Sequence, residues 1–63
     1  MKFKNLMIGD QFIKVSEIPT GEVYRMRKGD DHQKNKNAVI ILVQQEVWTT
    51  VDGEEEVMKI KQW

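Results

Sequence analysis

The run AVIILV at residues 38 to 43 continues through QQEVWTTV to residue 51, and Val39, Ile40, Ile41, Val43, Val47, Thr49, Thr50 and Val51 within it are all β-branched. Such side chains lose rotamer freedom against the preceding turn of a helix and pack well on a pleated surface. A helix capped by Asn37 is therefore set aside. The segment reads as two strands joined by a hairpin at Gln44 and Gln45, and Asp52-Gly53 marks a second hairpin before EEVMKI.

The rest of the chain follows the same grammar. Gly9-Asp10 is a turn between a short lead-in and the alternating stretch Gln11 to Val15, and Pro19-Thr20-Gly21 has the order a type I turn prefers. A second strand is expected from Glu22 to Lys28, with Tyr24 and Met26 on one face and Val23, Arg25 and Arg27 on the other. Residues 29 to 37, GDDHQKNKN, hold no apolar side chain and read as a surface loop. The expected class is all-β: a five-stranded antiparallel meander curling into a small barrel.

Size sharpens that expectation. With 63 residues, of which 40% are hydrophobic, residues 1–63 make one small domain. A chain of this length buries only about 60% of the surface its unfolded form exposes. It has no cysteine and one histidine, His32, so neither a disulfide nor a zinc site of the usual kind reinforces it, and no cofactor is expected. Closure of the sheet or self-association remain as remedies. The near-continuous apolarity of Ala38 to Val43 implies a strand covered on both faces, with Ile40 and Leu42 needing a second cover from the N-terminal segment, Trp63 or another copy of the chain.

Ten basic and ten acidic residues give a formal net charge of zero, which removes any global field for nucleic acid or anionic membrane. No signal-peptide core follows Lys2 and Lys4, and the longest apolar run is far short of a membrane span, so a cytoplasmic protein is expected, with no membrane among its partners. Ser16 is the only serine, and neither a nucleophile elbow nor a Gly-rich phosphate loop occurs. An enzyme is not expected.

The order of short signals, LMIGDQF with Leu6, Gly9, Asp10 and Phe12, then GEVYRM with Gly21, Val23 and Tyr24, then NAVIIL and a closing EEVMKI, spans nearly the whole chain. It resembles small uncharacterised SH3-like β-barrel proteins of phages and cyanobacteria. The resemblance implies the fold and a phage origin, with the host cytoplasm as location, and no agreed activity. The chain departs from that pattern in residues 29 to 37 and in its terminal KQW.

Two surfaces carry candidate function. Trp48, Trp63, Ile40 and Leu42, with Asp30, Asp31 and His32 in the polar segment, are the candidates for binding a protein partner or a second copy of the chain. As metal or acid–base chemistry, Asp30, Asp31 and His32 lack a second ligand cluster and read as a solvated turn. Glu54, Glu55 and Glu56 read as an exposed strand start that discourages aggregation, with an acidic contact patch as the lesser alternative. Arg25, Arg27, Lys28, Lys34 and Lys36 form the alternative, a locally basic face for nucleic acid with Tyr24 and Trp48 as stacking candidates. The favoured expectation is a non-catalytic interaction module, phage-encoded and directed at a host component. A structural subunit of a larger assembly is the third reading.

Overall fold

The computed structural model describes residues 1–33 and 36–60, the main chain alone at 31–33. Five antiparallel strands form one sheet: β1 (Gln11–Lys14), β2 (Met26–Gln33), β3 (Lys36–Ile41), β4 (Glu46–Thr49) and β5 (Val57–Ile60). Their order across the sheet is β4-β3-β2-β1-β5. The protein is all-β, and its other regular elements among the described residues are 3-10 segments at Phe3–Asn5 and Val15–Thr20.

The pairing departs from a simple meander at its end. Asp52-Gly53 does form a turn, in which the Asp52 side chain accepts from Glu54 N at 2.8 Å and Glu55 N donates to Asp52 O at 3.0 Å. It does not join two neighbours, because β5 crosses to the far edge and pairs with β1 while β4 pairs with β3. The sheet is therefore not closed.

The described residues between 29 and 37, namely 29–33 and 36–37, also differ from the expected loop. Backbone pairing continues through Gln33 opposite Lys36, with a register shift between Lys28 and Gln33. The apolar criterion fails there because the arms of a hairpin are held by ladder hydrogen bonds, which need no buried side chain. Conversely, residues 22 to 25 lie outside β2. The amide of Tyr24 donates to Glu17 Oε1 at 3.1 Å, and the 3-10 segment before it ends at Gly21, whose φ of 79° is the left-handed conformation glycine adopts without strain.

Register decides the two faces. One cross-sheet row reads Trp48, Val39, Arg27, Gln11 and Ile60, and the next reads Val47, Ile40, Met26, Phe12 and Lys59. The second row lies on the core side. Phe12, Met26, Ala38, Val51 and Val57 are buried there with Phe3 and Leu6, and Ile40 packs against them. The strand residue that faces away from this core is thus Val39 rather than Ile40. It is nonetheless 0% exposed, flanked by its register partners Trp48 and Arg27.

The N-terminal segment covers the core face of the sheet. Phe3 meets Phe12 edge-on with centroids 5.2 Å apart, and Lys28, on β2, holds that segment down. Its ammonium donates to the carbonyls of Leu6 at 2.7 Å and of Phe3 and Lys4 at 3.4 Å, and stands 5.0 Å from the Phe3 ring centre. Carbonyls left over at the end of a turn make a ready acceptor set for a cation. The same segment pairs with the start of β5: Phe3 N donates to Glu55 O, Val57 N to Met1 O and Lys4 N to Gly53 O.

Asn37 closes the other end. Its side-chain amide donates to Val51 O at 2.9 Å and accepts from Val51 N at 2.8 Å, standing in for a backbone pair after the chain has left β4. Asn37→Ala leaves both Val51 groups without that partner and lowers unfolding stability by about 1–3 kcal/mol. Urea denaturation checks this, with a lower midpoint and an unchanged slope expected.

Surface charge braces the strap. Lys4 lies 2.6 Å and Lys2 3.5 Å from Glu54, and the Met1 amino group pairs with Glu56. The Lys4 contact is the main cause that holds Glu54 below the ordinary carboxylate range, and the hydrogen bond from the Met1 ammonium does the same for Glu56. A depressed folded-state value adds stability above the unfolded value and loses it as pH falls through the depressed one. Stability therefore declines on acidification below the ordinary carboxylate range, and Glu54→Gln flattens that decline in a series of urea midpoints against pH.

Candidate functional site

The strand order leaves two edges, and they are treated differently. On β5 the ladder runs from the bond of Val15 N to Glu56 O, so Glu56, Met58 and Ile60 turn their main-chain groups to β1 while Val57 and Lys59 turn theirs outward. Val57 N is taken by Met1 O, an isolated bridge joins Lys2 to Glu56, and the remaining outward position carries a charge, Lys59, 3.5 Å from Asp10. That edge is strapped and gated against further pairing.

The β4 edge has no such cover among the described residues. Leu42 N donates to Gln45 O at 3.0 Å, which puts the hairpin tip at Val43 and Gln44, one residue earlier than the expected Gln44-Gln45. Alternation from that bond turns Val47 and Thr49 to β3 and points the N–H and C=O of Glu46 and Trp48 outward. Around these four groups stand apolar side chains: Val47, on the core side of the sheet, is 40% exposed, Leu42 is partly exposed and Val43 at the tip is wholly so. Between Ala38 and Val51 the only charged residue is Glu46. Its carboxylate is held at 3.1 Å and 3.4 Å by the two terminal nitrogens of Arg27, an ion pair that spans β3.

Trp48 stiffens this edge. Its ring reaches across β3 to Gly29, where an added Cβ would lie 2.7 Å from Cζ3 and 2.9 Å from Cη2. The lack of a side chain at Gly29 thus lets the indole approach the backbone of β2 closely, and any Cβ there would make the ring shift.

The remaining candidates do not converge. Arg25, Lys36 and Tyr24 are exposed, and of the basic set Arg27 is spent on Glu46 and Lys28 on the three carbonyls. Asp30 is exposed and engaged. Lys34, Trp63 and the side chains of Asp31 and His32 lie outside the described residues. Among the described residues no three His, Cys, Asp or Glu side chains are placed to hold a metal ion, and no helix is long and apolar enough to cross a membrane. A depression of about 340 Å³ lies between Phe3, Ile8, Lys28, Gly29, Asp30 and Asn37. Its lining is mostly apolar, and Lys28 and Asn37 already have main-chain partners.

Glu46, Val47 and Val43 were not among the sequence candidates, although the scarcity of charge from 38 to 51 is a readable sign of an edge open to pairing. No protein-family model matches the chain, and neither a curated protein nor a solved structure does.

Gly29→Ala forces the indole of Trp48 off β2. The expected result is a shifted Trp48 indole resonance and a stability loss of about 1–3 kcal/mol by denaturation, the usual scale for an overpacked contact.

Proposed function

We propose that this chain is a non-catalytic protein-interaction module that takes up an extended segment of another polypeptide along β4. The observation that carries the reading is the asymmetry of the two edges. One is strapped by Met1 to Phe3 and carries Lys59, while the other presents the main-chain groups of Glu46 and Trp48 beside exposed Val47, Leu42 and Val43. Strand addition gains affinity from main-chain hydrogen bonds and selectivity from side chains alternating above and below the sheet. Trp48, anchored on Gly29, and the Arg27–Glu46 pair hold the receiving strand in shape before a partner arrives.

The nucleic-acid reading has less behind it, because two of its five cations are bound internally and face opposite sides of the sheet: Arg27 shares a row with Val39, and Lys28 follows Met26 onto the core side.

Glu46→Pro tests the edge directly. Its amide points away from β3, so proline there removes an outward donor without breaking the β3–β4 ladder. Partners recovered with the wild-type chain are expected to be lost with Glu46→Pro and kept with Glu46→Gln, both variants retaining the wild-type circular dichroism. Equal recovery by all three chains defeats the reading.

A further inference from the structure

The geometry points to a second copy of this chain as the occupant of the β4 edge, paired antiparallel about a two-fold axis that sets Val47 opposite Val47 of the other copy. This rests on the edge reading above and names its partner.

Three observations select this arrangement. First, only Glu46 and Trp48 within β4 turn their main-chain groups outward. Placing Val47 opposite its mate sets Glu46 of each copy against Trp48 of the other, and two such hydrogen-bonded pairs consume all of those groups in four bonds. Moving the axis onto Trp48 leaves Glu46 to pair with Thr50, which lies beyond the end of β4, and moving it onto Glu46 opposes two carboxylates. Second, Val47 is 40% exposed on the core side of the sheet. A non-hydrogen-bonded antiparallel pair brings facing side chains closest, so the two valines cover one another where the sheet fails to close. Third, the charge pattern suits self-pairing: the stretch from Ala38 to Val51 contains only Glu46, and this register keeps the two copies of it apart.

The same geometry limits the assembly. Addition of β4 to the β5 edge of the next copy would generate an open filament, but Met1 to Phe3 already pair along the start of β5 and Lys59 places a charge at the remaining outward position. An isologous β4 contact closes at two copies, giving one continuous ten-stranded sheet.

The chain has no cysteine, so introduced thiols report the register without background. Opposed Cα atoms in a non-hydrogen-bonded pair stand about 4.5 Å apart, within the reach of a disulfide. Under oxidised glutathione, Val47→Cys is expected to cross-link to itself rapidly, whereas Thr49→Cys, placed against residue 45 of the other copy, remains a thiol. The wild-type mass by light scattering should rise from one chain to two, and no further, as concentration increases from micromolar to millimolar. Glu46→Pro should weaken that association by about tenfold or more, since each copy loses a main-chain bond and gains a ring at the contact.

A single-chain mass throughout, with Val47→Cys remaining reduced, overturns the inference. So does a dimer that cross-links through Thr49→Cys instead. A monomer whose binding to a different protein is abolished by Glu46→Pro also overturns it while leaving the edge reading intact, which separates the two failures.

Discussion

The Lys28 ammonium holds the architecture together. It sits on the core side of β2 and gathers three carbonyls from the first 3-10 segment and its C-cap Leu6, so the residues that cover the core face are tied to the middle of the sheet. Phe3 and Leu6 are buried only because that segment lies down, and the same segment pairs with the turn before β5. A half-buried cation is costly unless its donors are met, and here they are met by the carbonyls of Phe3, Lys4 and Leu6. One side chain thus couples the central strand, the N-terminal cover and the far edge.

Closing the sheet would have solved the edge problem for so small a chain, and the connection after β4 prevents it. Instead of folding back on β4, the chain is captured at Val51 by the Asn37 side chain and directed through the Asp52 turn to the opposite edge. The result is a single sheet whose β5 edge is sewn to the N-terminus and whose β4 edge has no such cover among the described residues. Ion pairs therefore collect where the N-terminus meets the turn before β5, while the β3–β4 hairpin carries exposed Val43, Leu42 and Val47.

The class of the fold was legible because β-branched residues from Val39 to Val51 suit strands and little else. Turn positions at Gly9-Asp10 and Asp52-Gly53 were legible too, since their chemistry is local. What lies across those turns was not, because pairing β5 with β1 depends on contacts between the two ends of the chain. The polar arms at 29–33 and 36–37 hid their strand character because ladder hydrogen bonds carry no side-chain signature. Lys28 and Arg27 looked alike in sequence, yet alternation sends one toward the core and the other to the outer face. At the candidate site, Trp48 and Leu42 were in view, while the open main-chain groups of Glu46 became visible only once the hairpin register was known.

The end-to-end stitching of β1 and the strap to β5 has a consequence for the newborn polypeptide. While translation is still short of Val57, β1 has a neighbour on one side only, and Phe3 has no main-chain partner at residue 55. Hairpins β2–β3 and β3–β4 are local and form early, but the hydrophobic centre around Phe12 waits for the last strand. During that interval the most apolar stretch of the chain is already made and unshielded, which makes the ribosome exit and its attendant chaperones the first setting in which the β4 border is exposed to strangers.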